Sequence, residues 1–204
     1  MGGIRHAHSI ISRFGTGAIS PLPFLGSLSA WAYWNHYAMD FTDTSNLNLA
    51  VFVCYDVFTI LFAGDLETAG WRTLLRLPSF QWNLTSVNVT VASHYGWVNG
   101  QYDELFNICR PDAVVFSDDR CRYDSQDTDA WHRARTKGII DLTSYRHPVW
   151  GYGKRHVLTT QRDGSMQTDV AYDGCFLVTP EWTTSRGTLS GLLAASLRCY
   201  SSGL

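Results

Sequence analysis

No run of apolar residues in this 204-residue chain is long enough to cross a bilayer as a helix, which takes about 20 in succession. The nearest approach, Gly17 to Trp34, is broken by Pro21, Pro23 and several serines. Arg5 and Arg13 precede it, as basic residues precede a secretion signal, but no clean small-residue cleavage site follows. It therefore reads as a loop or a displaced segment. An excess of one charge is also missing: 16 Lys and Arg stand against 18 Asp and Glu, a formal net charge of −2. That excludes a grip on nucleic acid through bulk positive potential and leaves only a local basic patch for such work. Cysteine pairs are missing too. The five cysteines, Cys54, Cys109, Cys121, Cys175 and Cys199, form no C-x-x-C, which argues against a disulfide scaffold or a cysteine zinc site. They read as reduced, buried thiols of a cytoplasmic protein. Two N-x-T triplets, at Asn83 and Asn88, would matter only in a secreted chain. No internal repeat is visible.

What is present is an ordinary globular composition, 45% hydrophobic and 14% aromatic with eight tryptophans. The length suits one domain. Residues 1–45 are rich in Gly, Ser, Pro and aromatics without a clear period, and are expected to be irregular. From Asn46 the pattern sharpens. Leu47 to Cys54 and Val57 to Ala63 are apolar, β-branched and aromatic runs joined at Tyr55-Asp56, which predicts a buried hairpin. Leu66 to Leu77 has helical spacing and is expected to stop at Pro78. Val87 to Ala92 and Asp112 to Ser117 read as strands, and Gln101 to Cys109 as a helix between them. Asp127 to Lys137 reads as a capped helix ended by Gly138. Arg155 to Gln161 and Met166 to Ala171 flank Arg162-Asp163-Gly164-Ser165, which predicts a hairpin turn. Tyr172-Asp173-Gly174 predicts another before Cys175 to Thr179. Leu189 to Leu197 is expected to form a short helix. Strands alternating with helices in this order describe a layered α/β (α+β) fold with a mixed sheet.

Two positions stand out for chemistry. Asp65 follows the apolar run FTILFAG, and His94 follows VNVTVAS. Strand ends are where a sheet fixes ligating side chains while the loops leave them accessible. A carboxylate with an imidazole suits zinc or manganese. Taken singly, an Asp there is as often a helix cap, and a lone His is more often structural.

The order of these pieces carries a resemblance. Asn46 and Asn48 on a strand, a hairpin, Gly64-Asp65-Leu66-Glu67, a strand ending in His94-Tyr95-Gly96, a helix from Tyr102 to Cys109 and Pro111 to Ser117 follow one another. This succession resembles the second half of a metallo-β-lactamase-fold hydrolase, most closely the soluble domain of ComEC-type DNA-uptake (competence) proteins. The run from Val157 to Val178 resembles that family's closing β-hairpin, so the likeness spans about residues 46–180, with 181–204 as a tail. It implies the C-terminal half of an αββα fold, metal-dependent hydrolysis and a phosphodiester, nucleic-acid or nucleotide substrate. By the same likeness Asp65 would bridge two metal ions, zinc or alternatively manganese. His94 would be the terminal ligand of the second ion, and Tyr95, Gly96 and Trp97 would line the substrate side. A metal-bound hydroxide would attack while both ions stabilise the developing oxyanion. Glu67 reads as charge at the start of the following helix.

The departures from that family are equally definite. Its H-x-H-x-D-H motif is absent: His6-Ala7-His8 keeps the first two histidines, but Ile10 and Ile11 occupy the Asp and His places. His36 and Asp40 also miss the pattern, and Tyr95 and Trp97 stand where the family has His and Ser. One aspartate and one histidine are too few to hold zinc tightly. The expectation is therefore weak metal binding or none, and either a diverged hydrolase or a non-catalytic binding or structural remnant of the fold. An apolar face left bare by the absent half would need a second copy of the chain, a first half or residues 1–45 to cover it. Asp118 to Asp124 reads as a solvated acidic loop. Arg133, Arg135, Lys137, Arg146, Lys154, Arg155 and His156, with Trp131, Trp150 and Tyr152, make the second half locally basic. That is a candidate nucleic-acid groove set against an ordinary charged face.

Overall fold

The computed structural model describes residues 17–23, 27–36, 41–118, 127–141, 153–181 and 196–198, with the backbone alone at 17–23 and 196–198. His6, His8, Asp40, residues 119–124, Arg146, Trp150, Tyr152, Cys121 and Cys199 lie outside them.

Four strands open the chain as an antiparallel meander: β1 (Gly17–Pro23), β2 (Leu28–Trp34), β3 (Leu49–Tyr55) and β4 (Phe58–Phe62). Asp56, with φ of 50°, makes the tight turn between β3 and β4. The sheet then continues in parallel through β5 (Val89–Val91), β6 (Ala113–Phe116) and β9 (Val157–Thr159). The result is a seven-stranded mixed sheet in the order β1-β2-β3-β4-β5-β6-β9. Helices α1 (Thr68–Leu74) and α2 (Pro78–Leu84) link β4 to β5, and α3 (Asp103–Ile108) links β5 to β6. Helix α4 (Asp129–Ala134) follows β6, and the single turn α5 (Thr160–Asp163) follows β9.

Alternation decides which side chains meet the helices. Tyr33, Ala50, Phe52 and Leu61 on one face pack with Trp71, Leu74, Phe80, Leu84 and Leu105 of the helices. The opposite face carries Phe58, Val89, Ala113 and Leu158, which pack against Ile139, Phe176 and Val178. These last three belong to a second, five-stranded antiparallel sheet. It is built of β7 (Ile139–Asp141), β8 (Gly153–Arg155), β10 (Met166–Val170), β11 (Phe176–Pro180) and β12 (Ser196–Arg198), in the order β10-β11-β12-β7-β8. The chain is thus a layered α/β fold, with helices on one face of a mixed sheet and a second sheet on the other. Among the described residues, no helix is long and apolar enough to cross a membrane.

Several local expectations are corrected. Gly17–Pro23 and Leu28–Trp34 are strands and not part of an irregular segment. In β2, Trp31 and Tyr33 alternate with Ala30 and Ala32, so the period is carried by size rather than polarity. Pro21 and Pro23 are tolerated because β1 is an edge strand with an irregular register between Ile19 and Leu22. Pro78 does more than end a helix, because it occupies the first turn of α2, where its missing N–H costs nothing. Asp163-Gly164 closes no hairpin. The Asp163 carboxylate takes the Thr159 N–H at 2.9 Å and both Arg155 contacts at 2.6 Å, which winds 160–163 into a turn and sends β9 and β10 to different sheets. Residues 196–198 are a strand rather than the end of a helix. The Tyr172–Gly174 turn does join paired strands, β10 and β11.

Cys54, Cys109 and Cys175 are free thiols. Burial pushes Cys109 up to about 12, so it is inert packing. Asn88 of the second N-x-T triplet is buried, receives the Thr59 N–H at 2.8 Å and donates to Asp112 at 3.2 Å. It serves the fold and offers no surface for a glycan.

Candidate functional site

The parallel register of β4 and β5 pairs Ile60 with Val89, Leu61 with Thr90 and Phe62 with Val91. Asp65 and His94 each lie three residues beyond the last pair, so they occupy equivalent places past two adjacent strand ends. A further backbone bond ties them: the His94 N–H donates to the Gly64 carbonyl at 2.9 Å. Gly64 has φ of 59°, and a Cβ there would stand 2.5 Å from Asn48 Cγ, so only glycine lets the backbone turn past that side chain. The Ser93 hydroxyl donates to the Leu66 carbonyl and closes the junction.

Three residues in succession, His94, Tyr95 and Gly96, have φ of 48°, 58° and 85°. Left-handed backbone at two non-glycine positions is uncommon and costs about 1–3 kcal/mol each where the surroundings impose it. The surroundings here are specific. Gly96 lies over Phe116, so that an added Cβ would meet the ring at 2.9 Å. The Thr128 hydroxyl donates to the Gly96 carbonyl. Beneath Phe116, at 4.9 Å between ring centres, sits the buried His132 imidazole, whose Nδ1 lies 3.0 Å from the Thr128 carbonyl. Burial holds His132 down to about 4, so it is neutral near pH 7. The carbonyl partner assigns the proton to Nδ1.

The turn presents three rings. Trp97 stacks on His94 with centres 5.0 Å apart and planes 19° apart. Tyr95 projects outward, 48% exposed. Glu67 stands 3.4 Å from His94 Nδ1 and accepts from the Asn99 amide at 2.6 Å, with that same amide 3.2 Å from Nδ1. Glu67 therefore faces the imidazole and is more than charge at a helix start. The Asp65 carboxylate takes no hydrogen bond among the described residues.

Asn46, which the sequence pattern puts on a strand without a task, lies instead in the turn ahead of β3. It is buried, and its Oδ1 accepts the Gly70 N–H at 2.8 Å and the Glu67 N–H at 3.1 Å. It thus satisfies the first turn of α1 in place of the local N-cap, Glu67, whose side chain makes no cap bond. Asp43 in turn accepts from the Asn46 N–H and amide, and Asn35 donates to the Asn46 carbonyl at 2.8 Å. A cap contributed 21 residues away leaves no S-x-x-E signature to find. Asn46→Ala is expected to lose about 2 kcal/mol of stability, as capping bonds and buried partners are lost together. Urea denaturation with unchanged slope is the check.

The His94 imidazole and the Glu67 carboxylate thus face each other at 3.4 Å, with Asp65 just past the neighbouring strand end. Zinc sites need three or four protein ligands. Among the described residues no cluster of three or more His, Cys, Asp or Glu side chains can hold a metal ion. Asp65 and His94 do not by themselves fit the two-zinc or manganese centre that the resemblance implies. A comparison of the chain with protein-family models, curated proteins and solved structures finds no match.

Proposed function

We propose that this chain is a diverged, hydrolase-like protein of the metallo-β-lactamase type, built around a two-ligand remnant of the ion site and directed at phosphodiesters. The observation that carries the reading is the equivalence of Asp65 and His94 at adjacent parallel strand ends, bound through His94 N–H and the Gly64 carbonyl at 2.9 Å. Motif order alone places a GD(L)E and an H-x-G in the right succession. The register adds that Asp65 and His94 follow the same end of two neighbouring strands. Tyr95 and Trp97, in place of the family's His and Ser, replace ligand chemistry with aromatic surface, which suits binding a base or a sugar more than holding an ion. With only these ligands, phosphodiester turnover by the chain alone is expected to be absent.

A second feature supports an incomplete partner surface next to the site. Leu49 and Phe62 are 51% and 43% exposed, and Phe62 lies at the end of β4 that leads into Asp65. The second sheet covers the apolar face under Phe58 and Val89 and leaves this end of it open.

Manganese titration followed by electron paramagnetic resonance tests the reading. The expected result is one weak site, lost in both Asp65→Asn and His94→Ala, with no zinc retained through dialysis. Two tightly held zinc ions per chain, or weak manganese binding indifferent to both substitutions, would overturn it.

A further inference from the structure

The basic residues of the second half do not act as one group, because the structure divides them. Arg155 is spent on Asp163, with both contacts at 2.6 Å. Arg135 lies 4.0 Å above the Trp131 ring and 2.6 Å from Asp103. Those two are structural cations. Arg133, Lys137 and Lys154 instead gather around the turn that leaves α4, and Arg110, which the sequence pattern did not single out, joins them because the carbonyl of the next residue, Pro111, accepts the Lys137 N–H at 2.9 Å.

His156 marks the centre of this cluster. Its Nδ1 lies 2.8 Å from the Thr136 hydroxyl, and its ring covers Gly138, where a Cβ would stand 2.8 Å from the imidazole and 3.0 Å from Lys154 Cβ. The Lys154 ammonium reaches the Lys137 carbonyl at 3.2 Å. Burial first, and then the charges of Arg133, Lys154 and Arg110, hold His156 below the ordinary imidazole value. Arg110, Arg133, Lys137 and Lys154 are all exposed. Carboxylates answer only part of this charge: Asp129 pairs with Arg133 at 2.9 Å, and the buried Asp112 lies 3.7 Å from Lys137. Among the described residues no carboxylate pairs with Arg110 or Lys154.

Position separates the cluster from the Asp65–His94 junction. Arg110 precedes β6 and His156 precedes β9, so the cations sit at the N-terminal ends of the parallel strands, while Asp65 and His94 follow the C-terminal ends. The stretch from Arg110 to the end of β6 at Phe116 separates the two ends, roughly 15 Å or more along the strand. Point charges on long side chains, spread over an open surface in a chain of net charge −2, match a repeating anion better than one enclosed phosphate.

We infer that the Arg110–Arg133–Lys137–Lys154 cluster around His156 is a binding surface for the phosphodiester backbone of a single nucleic-acid strand. Naming the ligand as nucleic acid rests on the phosphodiester reading above, whereas its binding needs no ion and no turnover. Each cation that neutralises a phosphate releases a counterion and adds about 0.7 to the slope of log affinity against log salt.

Fluorescence anisotropy with a labelled thymidine oligonucleotide tests the surface on the full chain. The triple variant Arg110→Ala/Arg133→Ala/Lys154→Ala is expected to bind at least ~10-fold more weakly at moderate salt, with the slope reduced by about 2. Lys137 is retained so that Asp112 keeps its neighbour. Arg72→Ala/Arg76→Ala, which removes exposed charge from and beside α1, is expected to leave binding unchanged. Tryptophan fluorescence confirms that both variants fold, and single substitutions replace the triple if it does not. Equal loss in the α1 variant, no oligonucleotide binding by the wild type, or capture only on phosphatidylserine vesicles would overturn the inference. Failure of manganese binding with patch-dependent oligonucleotide binding would instead reject only the hydrolase-type reading.

Discussion

Phe80→Ala is expected to remove about 3–5 kcal/mol of stability, the cost of deleting a large aromatic from a closed core. Phe80 is fully buried and sits at the meeting point of three rings. Tyr33 and Phe52 of the sheet approach it edge-on at 5.0 Å and 5.3 Å, and Trp71 of α1 lies at 6.2 Å. Asn83, one turn further along α2, donates to the Tyr33 hydroxyl at 2.8 Å. An alanine would leave all three rings facing a void, and the cavity cannot close without moving α2 off the sheet. The effect reaches the site through Trp71, because α1 carries Glu67 at its start and the Trp71 indole donates to the Gly100 carbonyl at 3.2 Å. Urea denaturation is the measurement. A loss under about 1 kcal/mol, below the usual range for such a deletion, would show that the helices do not depend on this cluster.

Phe80 also illustrates what a sequence can hide. The run from Leu66 to Pro78 has helical spacing, and Pro78 reads as a stop because proline ends helices from within. Yet proline is equally suited to the first turn of the next helix, and nothing local distinguishes the two. Phe80 and Leu84 therefore carry no local sign that they are core. The same limit applies to β2, where Ala30 and Ala32 present one face and Trp31 and Tyr33 the other. Both faces are apolar, so polarity gives no period. At Asp163-Gly164 the turn chemistry is local and does turn the chain. Its tertiary partner, the Arg155 guanidinium, decided against a hairpin.

The places of the two candidate residues, Asp65 and His94, are legible for a different reason. Asp65 and His94 each follow an unambiguous apolar strand, and the glycines at 64 and 96 mark backbone that leaves the ordinary regions. What no sequence reading could supply was the register. A shift of one residue between β4 and β5 would place the two side chains on different faces. The observed pairing of Phe62 with Val91 sets them level. Of the supports around them, Asn46 lies 21 residues before Glu67, His132 acts through the far side of Phe116, and Asn99, five residues after His94, faces an imidazole whose direction the sequence does not give. The sequence leaves the apolar face to be covered by a second copy, a first half or residues 1–45. Instead the second sheet, built of β7, β8, β10, β11 and β12, supplies most of that cover within the chain.

Acidification is expected to weaken the fold through His132, by about 3 kcal/mol in total. The folded imidazole is held down to about 4 from 6.5, with burial the largest cause. The unfolded chain carries an ordinary histidine and binds the extra proton first. Stability is therefore full above pH 6.5, falls as the pH drops below it, and stops falling from this source near pH 4. His132 is buried between Phe116 and Trp131, with ring centres 4.9 Å and 4.7 Å away, so water cannot reach the charge without opening that stack. His156 is also held below the ordinary value and adds a contribution of the same sign. The His132 share is isolated by comparing denaturation midpoints from pH 7 to pH 4 in wild type and His132→Asn, where the amide keeps a donor for the Thr128 carbonyl but does not titrate. The variant is expected to start less stable at pH 7 and to lose less on acidification. Parallel curves for the two proteins would place the pH dependence elsewhere. Because Phe116 lies between His132 and Gly96, and Thr128 holds the Gly96 carbonyl, protonation strains the support of the His94–Gly96 turn directly. Amide exchange at Tyr95 to Trp97 is accordingly expected to rise in wild type before the global transition.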